Sequence, residues 1–464
     1  MRPGIGALLL ASLCGLGSGC RSDPPRRPNL VLVVVDTLRS DHLGTYGYSR
    51  ATSPHLDRLA ATGTVFENAR APSSWTKPSV ASLFTARRPS EHGAVSFSEA
   101  LAAEIPTLAE LLGEAGYRTV GVSANFVHVN PASGLTRGFD AWRGLSVRLD
   151  EGQGGAILER SSGERLRAAR APEVNRALAA RLAVSSSEPL FLYVHYMEPH
   201  APYAPPENLR RAFARVDGET RASSNYVVDL AAGRLTLGAD GQRWLIDLYD
   251  AEVAAADRGL GQLVSLLDEK GYWDDTVLIF VSDHGEEFAE HGGWFHGLTL
   301  YEESLRVPLV VHDARAPGEG VRRTEPVDLL DVAPTLLALA GVEPARGMRG
   351  RPLLGGDPLA RRDLVAELHP DPPFEDRARP RLHRRSLLRW PWKAIVDRKG
   401  APTGYRLDQD PGERAPLAPE RGPGAQAVGS LLALDAASSL LPPPEAPEFD
   451  PETREGLRAL GYAQ

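Results

Sequence analysis

Three uninterrupted runs of apolar residues constrain the fold of this chain more than any other feature. Asn29–Val35, Pro189–Met197 and Thr276–Ser282 are rich in β-branched or aromatic residues and show no alternation of apolar with polar side chains. Strands that are buried on both faces of a parallel sheet have this pattern. Helical segments such as Ser53–Gly63 and Gly241–Lys270 lie between them. The sequence therefore predicts an α/β fold with a large mixed, mostly parallel sheet flanked by helices.

Shorter elements extend this alternation to about residue 345, after which the sequence becomes rich in arginine and proline. Further predicted elements are helices over Ile105–Gly116, Pro78–Ala86, Glu173–Val184 and Pro326–Ala340, and strands over Val65–Phe66, Arg118–Val122 and Val307–His312. Residues 131–170 give a poor signal and are predicted to be irregular surface. Strand candidates at Arg385–Leu388, Trp392–Asp397 and Gly404–Leu407 predict a small C-terminal antiparallel sheet.

The first twenty residues have the layout of a leader peptide. Arg2 precedes an apolar run, Ile5–Leu16, which is too short to span a bilayer and is followed by Cys20. The segment resembles a bacterial lipoprotein signal with Cys20 as the lipidated residue, although Gly17 stands where an aliphatic residue is usual; a plain secreted protein is the alternative. We expect a leader over 1–20, a tether over 21–28, a catalytic domain over 29–360 and a C-terminal subdomain and tail over 361–464.

The location expected from this leader is the cell envelope: the periplasmic side, with a lipid anchor in the outer membrane. Cys14 and Cys20 are the two cysteines of the chain, so the mature domain has neither a disulfide nor a cysteine nucleophile. The net charge of −8 and the lack of a clustered basic face argue against nucleic acid as a partner.

Polar residues follow the buried runs at their carboxyl ends, where open α/β sheets bind ligands. Asp36 follows the first strand, His200 comes shortly after the second, and Asp283 and His284 follow the third. Thr76 lies just before a predicted helix that begins at Pro78, and so faces unpaired N–H groups that favour an anion. Carboxylates and imidazoles suit one divalent ion, such as Ca²⁺, Mg²⁺, Mn²⁺ or Zn²⁺.

Each of these residues also has an ordinary structural interpretation. Asp36 is equally typical of a turn or a helix cap, and Asp283-His284 is typical of a turn. Thr76 is typical of a capping or surface hydroxyl, and His200 of a hydrogen-bonded loop residue. Their combination carries the argument, because a metal beside a hydroxyl and an anion-binding helix end favours attack on a phosphoryl or sulfuryl centre.

The motifs that contain these residues resemble the sulfatase family of the alkaline-phosphatase superfamily over residues 28 to about 415. They read PNLVLVVVDTLRSDHLGTYGY, SPHLDRLAATGTVFENA, SWTKPSVASLFTARRPSEHG, YMEPHAPY, SDHGEEFAEHGGWFHG and LYEESLRVPLVV. The resemblance implies that Asp36, Asp283 and His284, together with Thr76, bind the metal, and that Thr76 occupies the nucleophile position. It further implies that His200 contacts substrate or protonates the leaving oxygen.

The loop after the third strand contains two more histidines, His291 and His296. His296 falls where many sulfatases have a substrate-binding lysine, so the resemblance implies that it binds an anionic oxygen or acts as a general acid. The argument for a functional role is weaker for His291, and a surface or supporting role is an equal alternative.

The chain also departs from the sulfatase pattern. Sulfatases convert a cysteine or serine into formylglycine, whereas this chain has Thr76, which cannot be converted, and Val80 replaces the arginine after Pro78. Thr37 replaces the second carboxylate of an Asp-Asp pair. Asn125 stands near a missing lysine and is expected to bind substrate, as is Lys77, for which a solvated side chain is the alternative.

A threonine at this position resembles that of the superfamily's phosphodiesterases and phosphoglycerol transferases, which form a covalent phosphothreonine. We therefore expect a metal-dependent hydrolase of sulfuric or phosphoric esters, of the sulfatase, phosphodiesterase or phosphonate-hydrolase type, without formylglycine. The expected substrate is an anionic ester of a small molecule, a glycan or a lipid headgroup. The alternatives are a phosphoglycerol or phosphoethanolamine transferase, and a non-catalytic metal-binding lipoprotein of the same fold.

Overall fold

The structure is a computed structural model of the chain. It describes residues 27–97, 99–149, 158–159, 165–182, 188–214, 224–355, 362–369, 383–397, 402–417 and 424–438. The predicted leader, most of the tether and Cys20 lie outside the described residues.

An eight-stranded sheet forms the centre of the molecule. Its strands are β1 (Asn29–Val35), β2 (Thr64–Phe66), β4 (Arg118–Ser123), β5 (Ala141–Gly144), β9 (Leu190–Tyr196), β10 (Thr276–Ser282), β14 (Leu309–Asp313) and β15 (Val321–Arg323), where the numbers omitted belong to strands described below. Their order across the sheet is β15-β2-β14-β10-β1-β9-β4-β5. Only β14 runs antiparallel to its neighbours, which confirms the prediction of a mixed, mostly parallel sheet.

The three apolar runs that predicted the fold lie side by side in this sheet. β1 pairs in parallel with β10 on one side and β9 on the other. Its register with β10 ends at the pair Val35 and Ser282, so the residues that follow these two strands emerge together. All three strands are buried along their whole length.

Helices cover both faces of the central sheet, while the last helix packs on the C-terminal sheet. They are α1 (Pro54–Ala60), α2 (Thr76–Thr85), α3 (Pro89–His92), α4 (Leu108–Glu114), α5 (Ala171–Ala179), α6 (Glu207–Phe213), α7 (Ser224–Ala231), α8 (Ala239–Glu269), α9 (Glu302–Leu305), α10 (Val332–Ala340) and α11 (Gly424–Ser438). Alternate residues of β1 face opposite layers: Val31 and Val33 pack with residues of α5 and α8, whereas Leu30 and Leu32 pack with residues of α2 and α10. Burial of apolar surface on both faces is the main stabilising term.

Smaller sheets surround the central one. They comprise β3 (Ala69–Arg70) with β13 (Arg306–Val307) and β16 (Val327–Asp328); β6 (Ser146–Leu149) with β7 (Leu158–Glu159) and β8 (Arg165–Ala168); and the pair β11 (Glu287–Phe288) and β12 (Trp294–Phe295). The C-terminal antiparallel sheet consists of β17 (Leu364–Glu367), β18 (His383–Arg389), β19 (Trp392–Asp397) and β20 (Pro402–Arg406), and α11 packs on it.

Several local predictions differ from the structure. Residues 131–170 are not wholly irregular, because β5 pairs with β4 in the main sheet and β6 pairs with β8. The helix predicted over Pro326–Ala340 begins only at Val332, after a short strand and a 3-10 turn. The strand β17 was not predicted. These short segments owe their structure to distant partners rather than to local periodicity.

Candidate active site

Two adjacent strand ends bring two carboxylates and an imidazole together. Asp36 follows β1, and Asp283 and His284 follow β10. The three side chains are fully buried, and one ligand atom from each lies within 4.8 Å of the other two. The register of β1 with β10 produces this cluster, since Val35 and Ser282 are paired. We call Asp36, Asp283 and His284 the ligand cluster.

The ligand cluster fits a divalent cation. Asp36 Oδ1 and Asp283 Oδ2 are buried, and neither has a hydrogen-bond partner among the described residues. Unpaired carboxylate oxygens in a dry site are costly unless a cation balances them. Oxygen and imidazole nitrogen ligands accept several divalent ions, and the cluster fits the expected metal.

Side chains in and just after the neighbouring strands contact the Asp36 carboxylate. Asn125 donates from Nδ2 to Asp36 Oδ2 over 2.7 Å, and His195 Nε2 lies 3.2 Å from the same oxygen. Burial acts to raise the pKa of Asp36, but the contact with His195 and the nearby charges of His200 and His284 outweigh it and hold this pKa well below its ordinary value. Asp36 is therefore an anion at neutral pH.

Asp283 has the opposite electrostatic environment. Burial and the negative charge of Asp36 raise its pKa to about 7. Its Oδ1 accepts hydrogen bonds from the backbone N–H groups of Thr37 (3.2 Å) and His284 (3.0 Å). Two carboxylates that face each other in this way favour a bound cation, because it stabilises both in the ionised form.

Thr37 adopts a backbone conformation that is unusual for its residue type. Its φ angle is +56°, in the left-handed region, where a β-branched residue is strained by about 1–3 kcal/mol. The amide of Thr37 donates to Asp283, and its carbonyl accepts from the Tyr249 hydroxyl over 2.8 Å. The strained backbone of Thr37 thus directs its amide N–H at the Asp283 carboxylate.

Thr76 lies beside the ligand cluster at the beginning of a helix. Its Oγ1 is 3.3 Å from His284 Nε2. The helix α2 begins at Thr76 itself and not at Pro78, so the predicted start was two residues late. The N-terminus of α2 is fixed to the cluster because Ser79 Oγ donates to the Asp283 carbonyl over 2.5 Å. Unpaired N–H groups and the helix dipole favour a negative charge here.

His200 and His296 lie next to each other near the ligand cluster. Their ring centroids are 4.9 Å apart, and the His296 ring is 4.6 Å from the ring of His284. His296 Nδ1 is 2.7 Å from Glu286 Oε1, and Tyr203 donates to the other oxygen of Glu286 over 3.0 Å. Burial lowers the pKa of His200 below its ordinary value.

Three residues singled out in the sequence make contacts that the sequence could not show. They are Lys77, Asn125 and His291. Lys77 is buried rather than solvated, and its Nζ donates to the carbonyls of Ser96 (3.0 Å) and Phe97 (2.7 Å). The side-chain amide of Asn125 donates a hydrogen bond to Asp36. His291 lies apart from the ligand cluster, with Nδ1 2.5 Å from Glu303 and Nε2 3.1 Å from the Glu413 carbonyl.

His195 and His128 were missed by sequence reasoning. His195 is fully buried within β9 and contacts Asp36, but the run that contains it was interpreted only as an apolar strand. The sequence contained one signal of its role, namely that a histidine stands within an apolar run. His128 packs at 4.7 Å against the Phe97 ring, and its Nδ1 is buried without a hydrogen-bond partner among the described residues. Burial, followed by the charge of Lys77, lowers its pKa well below the ordinary value.

Comparison with known proteins points to one family. The sequence model of the family described as Sulfatase matches residues 28–342. An arylsulfatase of Clostridium perfringens is 25% identical over 396 residues, which cover 74% of this chain and 79% of the relative. An N-acetylglucosamine-6-O-sulfatase of Bacteroides thetaiotaomicron is 23% identical over 426 residues, covering 75% of this chain and 73% of the relative.

Solved structures share the fold. The phosphonate monoester hydrolase of Agrobacterium radiobacter superposes with a TM-score of 0.69 at 22% identity, covering 89% of this chain and 96% of its own. A protein solved in complex with its substrate D-glucosamine-2-N,6-O-disulfate also gives a TM-score of 0.69, at 20% identity, with 89% and 98% covered.

Proposed function

Because this chain belongs to the sulfatase family, we propose that it is a metal-dependent hydrolase of sulfuric or phosphoric esters in which Thr76 is the nucleophile. One observation carries the proposal. The Thr76 hydroxyl, at the N-terminus of α2, lies 3.3 Å from His284 in a cluster where one buried oxygen of each carboxylate lacks a hydrogen-bond partner among the described residues. This arrangement supports the proposal, because it would bring a nucleophile, a cation site and an anion site together.

Asp36, Asp283 and His284 would hold the divalent ion, with Thr76 Oγ1 beside them. Such an ion supplies positive charge that stabilises the ester oxygens and lowers the pKa of a hydroxyl next to it. Asn125 and His195 orient Asp36, while Thr37 and Ser79 fix Asp283 through its side chain and its carbonyl. The chain thereby keeps the ligand atoms in place before an ion binds.

Thr76 Oγ1 loses its proton to a water molecule and attacks the sulfur or phosphorus atom. The bond from that atom to the ester oxygen breaks, and the alcohol leaves with a proton supplied by His200 or His296, the two imidazoles that lie together near the cluster. The N–H groups at the start of α2 bind the negative oxygens of the transferred group. Water then cleaves the ester formed on Thr76.

Threonine chemistry replaces formylglycine in this proposal. Thr76 cannot become the aldehyde, and Val80 and Asn125 stand where the sulfatase pattern has an arginine and near where it has a lysine. The relatives named above include both sulfatases and a phosphonate monoester hydrolase. They support an anionic ester as substrate, including esters of sugars, and the paired assay below compares sulfate with phosphate.

We also propose that the protein lies in the cell envelope, anchored by a lipid on Cys20. The leader-like segment at residues 1–20 motivates this proposal. In the part of the chain that the structure describes, no helix has the length and apolarity needed to cross a membrane. Incorporation of labelled palmitate into the wild-type chain, and its loss in Cys20→Ala, is the expected result; equal labelling of both would refute the anchor.

A paired assay tests the reaction. Aryl sulfate, aryl phosphate and aryl phosphodiester substrates are compared with Ca²⁺, Mg²⁺, Mn²⁺ or Zn²⁺ added, and mass spectrometry of the quenched enzyme identifies a sulfo or phospho group on Thr76. Thr76→Ala is expected to lower turnover about 10³-fold or more. Thr85→Ala, which removes a buried threonine hydroxyl at the other end of α2, is the matched control and should retain activity. Undiminished turnover by Thr76→Ala would refute the mechanism.

A further inference from the structure

The hairpin formed by β11 and β12 brings a carboxylate to a histidine of the candidate site. Its strands pair Glu287 with Phe295, so the residues that flank this pair, Glu286 and His296, lie opposite each other. His296 Nδ1 is 2.7 Å from Glu286 Oε1, although the two are ten residues apart in the chain. The centroid of the His296 ring is also 4.6 Å from that of His284. One imidazole therefore contacts both a buried carboxylate and the ligand cluster.

The protein fixes Glu286 at all of its polar atoms. The residue is fully buried, and its second carboxylate oxygen, Oε2, accepts from the Tyr203 hydroxyl over 3.0 Å. Its amide donates to the Glu303 carbonyl over 3.0 Å, and its own carbonyl accepts from Arg39 Nη1 over 2.9 Å. Each carboxylate of the ligand cluster, in contrast, has one oxygen without a partner among the described residues. Glu286 therefore suits an orienting role better than metal binding.

The backbone on both sides of His296 is constrained as well. Phe295 has a φ angle of +67° and Gly297 one of +77°, and the left-handed region is costly for an aromatic residue. The Gly297 amide donates to the carbonyl of Ser74, two residues before Thr76, over 2.8 Å. The chain thus holds His296 in a defined position relative to the nucleophile and maintains a strained residue next to it.

The two imidazoles that could protonate the leaving alcohol differ in the partner of Nδ1. His200 Nδ1 contacts the Ala201 carbonyl, which is neutral, whereas His296 Nδ1 contacts a carboxylate. A carboxylate stabilises an imidazolium more than a carbonyl does, because it carries a full negative charge. The two nitrogens of an imidazole point in nearly opposite directions. When Nδ1 donates to Glu286, the proton that His296 can transfer is therefore the one on Nε2, on the side away from the carboxylate.

We propose that His296, rather than His200, protonates the leaving alcohol, and that Glu286 is the positioning residue that orients it; this inference rests on the proposed ester-hydrolase function. As the bond from sulfur or phosphorus to the ester oxygen breaks, its electron pair stays on that oxygen, which takes the proton from Nε2. Water then attacks the group on Thr76 and gives a proton to Nε2. The Thr76 oxygen leaves and regains a proton from solvent water, while Nδ1 stays bonded to Glu286.

The leaving group separates this role from a merely structural one. 4-Nitrophenol leaves readily as an anion, whereas phenol is a poorer leaving group, so the phenyl ester depends far more on an acid. The full chain is assayed with both esters, as sulfates and as phosphates, and with the divalent ion that gives the highest wild-type turnover. Glu286→Gln is expected to lower kcat/KM about 100-fold for the phenyl ester and less than about threefold for the 4-nitrophenyl ester.

A double-variant cycle tests whether Glu286 acts through His296. His296→Gln should lower kcat/KM for the phenyl ester at least as strongly as Glu286→Gln, and combining the two should cause a further change of less than about twofold. Tyr203→Phe removes the hydroxyl on Glu286 Oε2 and tests the same orientation if Glu286→Gln does not fold; its selective loss should be about 3- to 10-fold. Glu287→Gln changes the neighbouring buried carboxyl and should leave the ratio of the two esters unchanged.

Nitrogen NMR of histidine-labelled protein tests the orientation without turnover. The neutral His296 ring, assigned by the loss of its signals in His296→Gln, should carry its proton on Nδ1 in the wild type. Glu286→Gln should increase the fraction of rings with the proton on Nε2. A wild-type His296 that carries its proton on Nε2 would overturn the orienting role of Glu286.

The kinetic outcomes distinguish failure of this inference from failure of the hydrolase proposal. Equal losses on both esters, or losses of Glu286→Gln and His296→Gln that multiply, would overturn the inference while the wild type still turns over the esters. A selective loss in His200→Gln with none in His296→Gln would likewise overturn it and assign the acid to His200. A wild type that turns over neither ester with any of the ions would instead refute the hydrolase proposal, and this inference with it.

Discussion

Two clusters of buried charged side chains differ in how their charges are balanced. In the ligand cluster, Asp36 and Asp283 face each other, and each retains an oxygen without a hydrogen-bond partner among the described residues. In the second group, which we call the ion cluster, every carboxylate has a cationic nitrogen within 3.0 Å. The ion cluster consists of Arg70, Glu302, Lys393 and Glu413.

The ion cluster balances itself. Lys393 Nζ lies 3.0 Å from Glu302 and 2.9 Å from Glu413, and Arg70 lies 2.6 Å from Glu302. Two positive and two negative charges leave no net charge. The ligand cluster has two carboxylates and no lysine or arginine of its own. Buried charges that are neutralised by the chain itself indicate a structural role, whereas an excess of negative charge indicates a place for a cation.

The ion cluster also has a clear position in the fold. Lys393 belongs to β19 of the C-terminal sheet, and Glu302 begins α9, which follows the loop that carries His296. Glu413 Oε2 accepts from the Glu302 amide over 2.6 Å, and the carbonyl of Glu413 lies 3.1 Å from His291 Nε2. The C-terminal sheet therefore supports the far end of the loop that begins with Asp283 and His284 of the ligand cluster.

The largest expected effect comes from neutralising one carboxylate of the ligand cluster. Asp283→Asn should lower turnover of the best aryl ester about 10³-fold or more and abolish tight metal binding, because one of the three ligands that we propose is lost. In metal-free buffer the same variant should unfold at no lower urea concentration than the wild type, since it removes one of two like charges. A clear loss of metal-free stability would contradict the contrast between the clusters.

The next largest expected effect is a loss of stability without a loss of metal affinity. Lys393→Met should lower the free energy of unfolding by about 3 kcal/mol, because it leaves Glu302 and Glu413 buried with one cation fewer. Urea titration measures this loss. The double variant Lys393→Met/Glu413→Gln, which also removes a negative charge, should recover part of it. Metal affinity of the folded protein should stay unchanged; if it fell as in Asp283→Asn, the two clusters would not be functionally distinct.

The sequence predicted the centre of the fold because of how that centre is built. β1, β9 and β10 are buried on both faces, so their apolar runs identify them without knowledge of any partner. Asp36, Asp283 and His284 follow such runs and were predicted to lie together for that reason. The family and the mixed sheet are confirmed by the comparisons and the structure.

What the sequence could not show depends on distant pairing. The strand β5 is short and partly exposed, and it is a strand only because β4 lies beside it. His195 was hidden in an apolar run, since its contact with Asp36 follows from the register of β9 with β1. The ion cluster combines residues from four separate parts of the chain, and none of them has a local signal of its own.

His195 provides a third test, with an intermediate effect. His195→Gln should weaken metal binding or activity about 10- to 100-fold, the range typical of residues that orient metal ligands. Since His195 contacts Asp36 and not the ester, the loss should appear as a higher metal concentration needed for half-maximal activity. Tyr193→Phe removes only the hydroxyl that lies 2.8 Å from His195 Nδ1, so its effect should be smaller. An unchanged metal requirement in His195→Gln would exclude this role.

The smallest effect concerns a buried group that stays neutral in the native protein. His92 accepts from the Ala94 amide at Nδ1 (3.1 Å), and its Nε2 lies 3.1 Å from the Pro78 carbonyl in α2. Burial lowers the pKa of His92 to about 3, well below the ordinary value of 6.5. The unfolded chain therefore binds this proton more readily than the native protein.

The stability that His92 contributes is complete above pH 6.5 and is lost as the pH falls towards 3. One proton changes the free energy of unfolding by at most about 1.4 kcal/mol per pH unit. Urea titrations between pH 7 and 4 should therefore show a shallower decline for His92→Gln than for the wild type. Ser82→Ala, which removes a hydrogen-bond partner of His92 but keeps the titrating group, should retain the steeper slope. Identical slopes in all three proteins would show that acid sensitivity arises elsewhere, and the carboxylates of the two clusters would be the next groups to examine.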